Sequence, residues 1–446
     1  MKSPRALRTD AVRIWTAALR AVDSESAVRK IVKLEGDCLQ INRRRFDLGK
    51  IRNLWVLGAG KTAASMGLAI EKILGDRIAG GILVTKYGHS LPLKKLEIIE
   101  AGHPLPDANS LVSASRIMAF AKERIEREDL VLCLLSGGAS ALLASPADGI
   151  TLEDKLTCTQ LLLRNGADIH DLNAVRKHLS KIKGGEFARI LAPAGIVSLI
   201  LSDVVGDDVS TIASGLTVPD VTTFKDCINI FQRLRLSEQM PPAVKRRFEL
   251  GTTGKIKETP KPGDPAFRKS EFVIVGNNAH ACTAAARTAK SLGYNAMILT
   301  SQLEGDNGEA ARFHMNIANE IVFRRRPVRR PACVISGGET TVRIVGKGKG
   351  GRNQEFVLHC IKQLADLPLP CVVASLGTDG TDGPTEAAGA VADNATLNRS
   401  IKYGVHFLME SLNNNDSNTF FKRLDDLIIT GPTKTNVMDL HILMIG

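Results

Sequence analysis

The chain of 446 residues has no long apolar run, no CxxC pair and few aromatic side chains. Its longest apolar runs are about 6 to 8 residues, whereas a membrane-spanning helix needs roughly 20, so no membrane partner is expected. Most of its eight cysteines lie in apolar stretches, which argues against a disulfide framework or a zinc site and favours a cytoplasmic protein.

Negative charge is the scarcer sign: 47 aspartates and glutamates stand against 59 lysines and arginines, which gives a net charge of +12. Basic clusters occur at 43–45, 245–247 and 324–330. Aromatic residues make up 4% of the chain and are not interleaved with these clusters, so nucleic-acid bases would find little to stack on. No nucleic-acid partner is therefore expected, and a positive cleft that concentrates a small anionic substrate explains the same bias.

Short apolar runs alternate with helical patterns through most of the chain, as at 53–58, 80–85, 130–136 and 195–203. Runs buried on both faces are typical of parallel strands, so the pattern predicts an α/β fold with a mainly parallel sheet. A polar stretch rich in proline and glycine at about 237–270 interrupts this rhythm, and a second alternating series follows it.

Two α/β domains are therefore expected, a Rossmann-like N-terminal domain at 1–255 and a second domain at 265–446. The placement of the last ~20 residues stays open, because they could pack back on the first domain. In open α/β sheets, ligands bind beyond the carboxyl ends of the strands. The residues that follow each apolar run are therefore the candidates for a site.

The first such turn contains Gly58, Gly60 and Lys61. Free N–H groups at the start of the next helix, together with the charge of Lys61, would attract a phosphate or a carboxylate. The spacing matches neither a P-loop nor a complete GxGxxG fingerprint. A plain strand–helix turn would use the same glycines, so this alternative stays open.

The second turn offers backbone and hydroxyl groups suited to an anion, namely Ser136, Gly137, Gly138 and Ser140. A nucleophile elbow is excluded because its GxSxG spacing is missing, and a plain turn with no function is the alternative that stays open. Further along, a solvated basic helix face is the favoured interpretation of Arg176, Lys177, Lys181 and Lys183. Asn173 and Arg176 nevertheless share one face at i, i+3, which keeps both as candidate anion ligands.

Carboxylates follow the next apolar run, at Asp203, Asp207 and Asp208. At a strand end such groups can hold a metal ion or act as a base, and Asp203 and Asp207 are the metal candidates here. A helix N-cap role explains one of them equally well.

The second half of the chain repeats the serine–glycine–glycine turn and adds an acid to it, as Ser336, Gly337, Gly338 and Glu339. A glycine loop then carries Lys349 and Arg352 into a helix that begins at about Asn353. Flexible backbone, cations and a helix N-terminus together predict an anion site, with a solvated basic loop as the alternative.

A later turn concentrates Asp379, Asp382 and Glu386 after another apolar run. Asp379 lies nearest the strand end and is the candidate base or metal ligand. A helix is predicted to start at Pro384, with Asp382 as its cap and Glu386 complementing its dipole. Cations and carboxylates at strand ends together predict an enzyme that transfers a phosphoryl group to a small anion.

Long motifs are spread over nearly the whole chain: SGGASALL, LNAVRKHLSKIKGG, LILSDVVGDD, ISGGETTV, GKGGRNQE, GTDGTDGPTEAAGA and NNNDSNTFF followed by TGPTKTNVMDLHI. In this order they resemble the glycerate 2-kinase family, whose C-terminal half is called the MOFRL domain. The resemblance implies two α/β domains with the active site in the cleft between them. It also implies ATP- and Mg²⁺-dependent phosphorylation of D-glycerate at the 2-hydroxyl.

The resemblance further implies that Lys61 and Arg352 are active-site residues, since they match the family's turn lysine and the arginine of its GGRNQE motif. Our hypothesis adds Asp203 or Asp379 as the group that orients the attacking hydroxyl or binds Mg²⁺. Ala139 replaces a family glycine, which a phosphate turn tolerates if its φ is negative.

A second departure from the family pattern is Leu216, which replaces a proline. Members of the family also carry the label hydroxypyruvate reductase, so an NAD(P)H-dependent reductase is the alternative. A reductase needs an acidic residue after the run 80–85 to bind the ribose of its cofactor, and Lys86 stands there instead. The expected partners are D-glycerate and ATP, bound by a monomer or a homodimer.

Overall fold

The computed structural model describes residues 2–446, which divide into two compact units. One unit comprises Ala27–Val275, and the other comprises Gly276–Gly446 together with the residues up to Ser26. No helix in the described part of the chain has both the length and the apolar character needed to cross a membrane.

This division differs from the expected domains 1–255 and 265–446 at both ends of the first domain. The N-terminal helix belongs to the C-terminal unit, where buried Asp10 accepts hydrogen bonds from Lys2 Nζ and Tyr294 Oη, both at 2.8 Å. The apolar run at 271–276 closes the first sheet instead of opening the second. Both differences depend on packing between distant segments, which the local pattern does not encode.

Helices and strands alternate along both units, as the apolar pattern predicts. The α-helices of the described residues are α1 Pro4–Ala21, α2 Ser24–Ile31, α3 Ala63–Leu74, α4 Ala108–Arg124, α5 Ala139–Leu142, α6 Leu152–Arg164, α7 Ile169–His178, α8 Glu186–Leu191, α9 Phe224–Arg233, α10 Pro242–Thr252, α11 Asn278–Ser291, α12 Asn307–Arg324, α13 Arg352–Asp366, α14 Thr396–Ser400, α15 Phe407–Asn413 and α16 Ser417–Leu424. The β-strands are β1 Val32–Glu35, β2 Cys38–Ile41, β3 Arg44–Asp47, β4 Leu54–Ala59, β5 Ile78–Lys86, β6 Glu97–Ala101, β7 Leu130–Ser136, β8 Gly195–Leu201, β9 Ser270–Gly276, β10 Asn295–Leu303, β11 Ala332–Gly338, β12 Cys371–Gly377, β13 Gly389–Asp393, β14 Leu427–Ile428 and β15 Asp439–Ile445.

The main sheet of the first unit has the strand order β6-β5-β4-β7-β8-β9, and β1–β3 form a separate antiparallel sheet. The pairs β4–β5, β4–β7, β5–β6 and β7–β8 are parallel, which confirms the predicted mainly parallel sheet. Counted from β4, the order is the 3-2-1-4-5-6 of doubly wound sheets, and it switches direction between β4 and β7. Ligands of such sheets bind in the crevice beyond the carboxyl ends of the two strands at the switch.

Burial on both faces explains why these runs become central strands. Every residue of β4 and β7 is buried, and Val131, Cys133 and Leu135 of β7 join apolar side chains of α4 and α8 in one core. Each fully buried leucine or valine contributes roughly 1.5–3 kcal/mol relative to an exposed one. Polar side chains are thereby restricted to the strand ends, so the candidate functional residues gather there.

The sheet of the second unit has the mixed order β10-β11-β15-β12-β13-β14. Strands β10 and β11 are parallel, whereas β15 runs antiparallel to both of its neighbours, β11 and β12. Strand β15 is buried throughout. The last residues of the chain therefore complete the sheet of their own unit.

Candidate active site

The turns that follow β4 and β7 are joined by hydrogen bonds at the switch point of the first sheet. The Lys61 backbone N–H donates to the Gly137 carbonyl (2.8 Å), and the Thr62 N–H donates to Ser136 Oγ (3.1 Å). A Cβ atom on Gly60 would lie 2.1 Å from Ser136 Oγ, so this glycine is required by the close approach of the two turns. Ser136, a predicted anion ligand, therefore also has a structural role, because its hydroxyl joins the two turns.

We expect Gly60→Ala to lower the free energy of unfolding by roughly 3 kcal/mol or more, since it adds steric overlap to a backbone φ of +146°. The denaturant midpoint of unfolding measures the effect. Gly75→Ala is the control, because Gly75 also has a positive φ (+48°) but no heavy atom within 4 Å of its added Cβ. Equal losses in the two variants would contradict the close approach of the turns.

Asp203 lies beyond the end of β8 and against the turn of β7. A Cβ atom on Gly137 would lie 1.6 Å from Asp203 Oδ2, so the carboxylate rests on the glycine backbone. The structure therefore brings Lys61, Gly137 and Asp203 to one edge of the sheet. Gly58, by contrast, is packed against the Leu134 backbone inside the sheet and serves the strand pairing.

The remaining carboxylates after β8 have a local structural role. Asp208 accepts hydrogen bonds from the Ser210 N–H (2.9 Å) and the Thr211 hydroxyl (2.7 Å), which closes a local turn rather than capping a helix. Asp207 lies in the same short turn with φ +57°. Within residues 2–446, no group of three or more His, Cys, Asp or Glu side chains is arranged to hold a metal ion. The metal candidates Asp203, Asp207 and Asp379 thus do not form such a cluster.

A cavity of about 200 Å³ opens beside the β7 turn, within the first unit. Its lining includes polar, basic and apolar side chains, namely His103, Pro104, Leu105, Pro106, Gly138, Ser140, Ala141, Ala144, Leu152, Lys155, Leu156, Thr159, Arg176 and Lys183. Three of these are cations, and none of these described residues is acidic.

The predicted solvated face of α7 is wrong for most of its basic residues. Lys177 is buried and pairs with Asp220 (3.3 Å), and Lys183 is buried against the cavity. Arg176 also lines the cavity, so the alternative that gave Asn173 and Arg176 an anion-binding role stays a prediction for the arginine. Lys181 is exposed, as expected. The amphipathic pattern misled here because segments distant in the sequence enclose these side chains: Lys177 packs beside Gly215 and Asp220, and Lys183 reaches the Ser140 carbonyl.

Asn173 supports the cavity indirectly through a chain of side chains. Its Oδ1 accepts a hydrogen bond from Ser214 Oγ (2.9 Å), and Ser214 Oγ lies 2.7 Å from Ser140 Oγ. Ala139, next to Ser140, is not among the residues with positive φ, so the extra methyl is compatible with the turn. Leu216 is buried in the core of the same unit, where its side chain is accommodated.

The sequence does not single out Lys155 or His103, and it marks Lys183 only as part of a solvated face. Lys155 lies in the second turn of α6, and nothing in its neighbourhood marks it as a ligand. Burial, followed by repulsion from Arg176, lowers the pKa of Lys155 to about 8. Burial likewise lowers the pKa of Lys183 well below its ordinary value, and burial and then Lys61 lower the pKa of His103 to about 4.

The serine–glycine–glycine turn of the second unit is filled by its own neighbours. Ser336 Oγ lies 2.5 Å from His314 Nε2. Added Cβ atoms on Gly337 and Gly338 would overlap Asn278 and the Leu303 backbone. The same sequence in the first unit is also packed closely, against Asp203 and His103, and differs in that its Gly138 lines the cavity.

Arg352 is held by two acids at the start of α13. The Nε and Nη2 edge of its guanidinium forms an ion pair with the fully buried carboxylate of Asp439. Its Nη1 lies 2.8 Å from Glu339 Oε1. Burial opposes the charge, but Asp439 raises the pKa of Arg352, so the arginine stays protonated. Asn353 Nδ2 donates to Asp439 as well (2.9 Å), which fixes the carboxylate from a second side.

The N-terminus of α13 is already capped by a carboxylate of the protein. Asp382 accepts hydrogen bonds from the backbone N–H groups of Asn353 (3.0 Å) and Gln354 (2.8 Å). The helix predicted at Pro384 is absent from the described structure, where an irregular stretch leads into β13, so Asp382 caps α13 instead. The helix N-terminus therefore does not provide the predicted free N–H groups.

The other charged candidates of this unit lie nearer the solvent. Asp379 Oδ1 accepts from the Thr381 N–H and hydroxyl, both at 3.0 Å, in a tight turn. Asp379 also faces Asp439, whose pKa it helps to raise after burial. Lys349 is exposed, and its backbone N–H is bound by Asp416 (3.0 Å).

Glu355, in the first turn of α13, gives this unit a pH-dependent stability. Burial raises its pKa from 4.5 to about 6, so the folded protein retains a proton that the unfolded chain has lost between these pH values. Stability therefore falls as pH rises through this window, by about 2 kcal/mol.

We expect Glu355→Gln to be more stable than the parent by up to about 2 kcal/mol at pH 7 and equally stable at pH 4, because glutamine is never ionised. Denaturant unfolding at both pH values measures the difference. Glu386→Gln, at an exposed position, is the control. A difference that is the same at pH 4 and pH 7 would exclude this explanation.

Two family models match the chain, a domain of unknown function (DUF4147) over residues 10–249 and the MOFRL family over residues 332–439. A glycerate 2-kinase of Pyrococcus horikoshii is 40% identical over 441 residues, which cover 98% of this chain and 97% of that protein. A D-glycerate 2-kinase of Thermotoga maritima is 39% identical over 446 residues, the full length of both. The crystal structure of a glycerate kinase from Thermotoga maritima matches with a TM-score of 0.87 at 38% identity, over 99% of this chain and 100% of that one.

Proposed function

The chain belongs to the glycerate 2-kinase family with a C-terminal MOFRL domain, and on that premise we propose that it phosphorylates D-glycerate with ATP. The γ-phosphoryl group moves to the 2-hydroxyl, which gives 2-phosphoglycerate and ADP. The observation that carries the proposal is the set of cations at the switch point of a doubly wound sheet, with no acidic residue among the described residues lining the cavity beside it. Such a site favours a small, highly charged anion.

Lys61 is proposed to neutralise charge on the transferred phosphoryl group or on the glycerate carboxylate. It follows the turn after β4, and among the described residues its ammonium group has no hydrogen bond or ion pair. A partly buried cation without a protein partner is available to a substrate and is held close by the rigid turn beneath it.

Arg352 is proposed as the second cationic group of the reaction. Asp439 occupies one edge of its guanidinium and Glu339 occupies Nη1, so two of its five N–H groups remain for a ligand. The pair with Asp439 fixes the plane of the guanidinium before substrate binds. Such preorganisation is how a charged group stabilises a transition state without reorganising.

A carboxylate is needed to orient the attacking hydroxyl and accept its proton. Asp203 is proposed for this role, because it lies at the same sheet edge as Lys61. As the oxygen–phosphorus bond forms at the 2-hydroxyl, the proton passes to the carboxylate and the bond to the bridging oxygen of ADP breaks.

Mg²⁺ is proposed as the metal cofactor. Proteins usually bind this ion through one or two carboxylates, with substrate phosphates and water as the other ligands. Asp203, Asp207 and Asp379 supply oxygen donors of the right kind, and the lack of a larger acidic group in the described residues agrees with a phosphate-held ion. When bound, the ion would offset the negative charge of the phosphates.

A hydroxypyruvate reductase is the second candidate, and the doubly wound strand order favours it. A dinucleotide site also needs an acid at the end of the second strand to bind the ribose. Strand β5 ends at Lys86 instead. A monomeric or homodimeric state and a cytoplasmic location remain predictions.

One assay separates the two candidates. Pure protein is incubated with MgATP and D-glycerate, and ADP is followed by a coupled reaction, with L-glycerate as the control substrate. We expect ADP formation that needs D-glycerate. Oxidation of NAD(P)H with hydroxypyruvate, in a protein that forms no ADP, would instead establish the reductase.

A further inference from the structure

The cavity beside the β7 turn contains more positive charge than its protein surroundings balance. The Lys155 Nζ exposes less than 1 Å² and has no hydrogen-bond partner among residues 2–446. Lys183 Nζ donates to the Ser140 carbonyl (2.8 Å), which carries no full charge. The Arg176 guanidinium has neither an ion pair nor a hydrogen bond to a described residue.

Three neighbouring basic groups without a counter-charge are costly to keep ionised, because each loses hydration and repels the others, and the pKa values of Lys155 and Lys183 are lowered accordingly. Elsewhere in the same unit, buried lysines are compensated: Lys177, one residue after Arg176, pairs with Asp220. The cavity is therefore an exception within its own unit. The missing negative charge is explained by an anionic ligand.

The amount of uncompensated positive charge distinguishes between possible anions. A single carboxylate would balance one cation of three, whereas a phosphate group carries about two negative charges and three acceptor oxygens. The cavity volume of about 200 Å³ leaves room for one or two such groups rather than for a nucleoside in addition. Phosphate is thus the better match in charge and in size.

The cavity also adjoins the proposed reaction centre. A Cβ atom on Gly138 would lie 2.8 Å from His103 and 3.3 Å from Lys61 Cγ, so the cavity wall and the Lys61 side chain share this glycine. Apolar side chains among the lining residues, such as Leu152 and Leu156, lower the polarity of the cavity. Both features strengthen binding of an anion that extends from Lys61 into the cavity.

We propose that this cavity is a phosphate-binding pocket in which Lys155, Arg176 and Lys183 are the ligands. The phosphate belongs either to the polyphosphate chain of the nucleotide or to the phosphorylated product, and this identity rests on the proposed function. The protein holds the three cations apart from acids so that the bound phosphate is their common partner.

Proton uptake on binding is a consequence that a purely structural lysine cluster would not show. Burial lowers the pKa of Lys155 to about 8, so part of the lysine is neutral in the empty protein at pH 8. A bound phosphate favours the charged form, so binding takes up protons.

Calorimetric titration of tripolyphosphate, ADP, 2-phosphoglycerate and D-glycerate, without Mg²⁺, tests the proposal. The proteins are the parent, Lys155→Met, Arg176→Gln and the control Lys181→Met, which removes a charge from an exposed lysine nearby. We expect both cavity variants to bind phosphate compounds about 10- to 100-fold more weakly, and the control to be unchanged. Loss for tripolyphosphate and ADP identifies the nucleotide as the source, and loss for 2-phosphoglycerate alone identifies the product.

Two further measurements distinguish a failure of this proposal from a loss of folding and from a failure of the proposed function. Lys155→Met should melt at a higher temperature than the parent, because an unpartnered buried cation is removed. At pH 8, titration in buffers of different ionisation enthalpy should show proton uptake by the parent. Unchanged phosphate binding in both cavity variants, or weakened binding of D-glycerate alone, would overturn the pocket. A parent that binds phosphate here but forms no ADP from D-glycerate would overturn the kinase and leave the pocket standing.

Discussion

Lys61→Met is expected to lower the turnover of D-glycerate phosphorylation on the order of 10²- to 10³-fold while leaving the melting temperature nearly unchanged. The two effects separate because the Lys61 ammonium group bonds to no described side chain, so methionine removes a charge and breaks no contact. Its backbone N–H, which holds the two turns together, is retained. Steady-state kinetics and a thermal melt measure both quantities.

The control for this variant is Lys94→Met, an exposed lysine of the same unit that is outside the switch point. It should retain the turnover of the parent. If Lys61→Met kept near-normal turnover, Lys61 would be removed from the mechanism. If it lost turnover and stability together, the loss could not be assigned to chemistry.

Arg352→Ala is expected to lower both stability and turnover, in contrast to the change at Lys61. Asp439 is fully buried, and removal of its partner leaves a carboxylate that, among residues 2–446, only Asn353 still contacts by a hydrogen bond. Loss of one member of a buried ion pair costs roughly 3–5 kcal/mol. Because Arg352 is also a proposed cationic group of the reaction, turnover should fall on the order of 10²- to 10³-fold as well.

A double variant separates these two roles of Arg352. Arg352→Ala combined with Asp439→Asn removes the orphaned charge and should recover most of the lost stability, as measured by denaturant unfolding. Turnover should stay low, because the cation is still missing. Recovery of turnover in the double variant would show that Arg352 serves only the fold of its unit.

Much of the architecture could be predicted from the sequence because it depends on local patterns. Runs such as 130–136 and 195–203 are strands with every apolar side chain buried, and the glycine turns lie at their ends. The first turn was recognised by its glycines, and the structure explains them by the close approach of Gly60 to Ser136.

The parts that could not be predicted are those set by packing between distant segments. Lys155, Arg176 and Lys183 come together only after α6 and α7 have folded over the sheet edge. Their spacing in the sequence therefore does not predict the cavity. Asp382 was expected to cap a helix after it in the chain, yet it caps α13, which precedes it. The serine–glycine–glycine repeat shows the same limit, since the same three residues border the cavity at Gly138 in the first unit and pack against His314 and Asn278 in the second.

The central claim is transfer of phosphate from ATP to the 2-hydroxyl of D-glycerate, and the identity of the product tests it most directly. The protein is incubated with MgATP and D-glycerate, and enolase is then added without phosphoglycerate mutase. We predict that enolase consumes the product at once and forms phosphoenolpyruvate, because the phosphate is on the 2-hydroxyl. A phosphorylated product that enolase converts only after the mutase is added would be 3-phosphoglycerate and would contradict the claim.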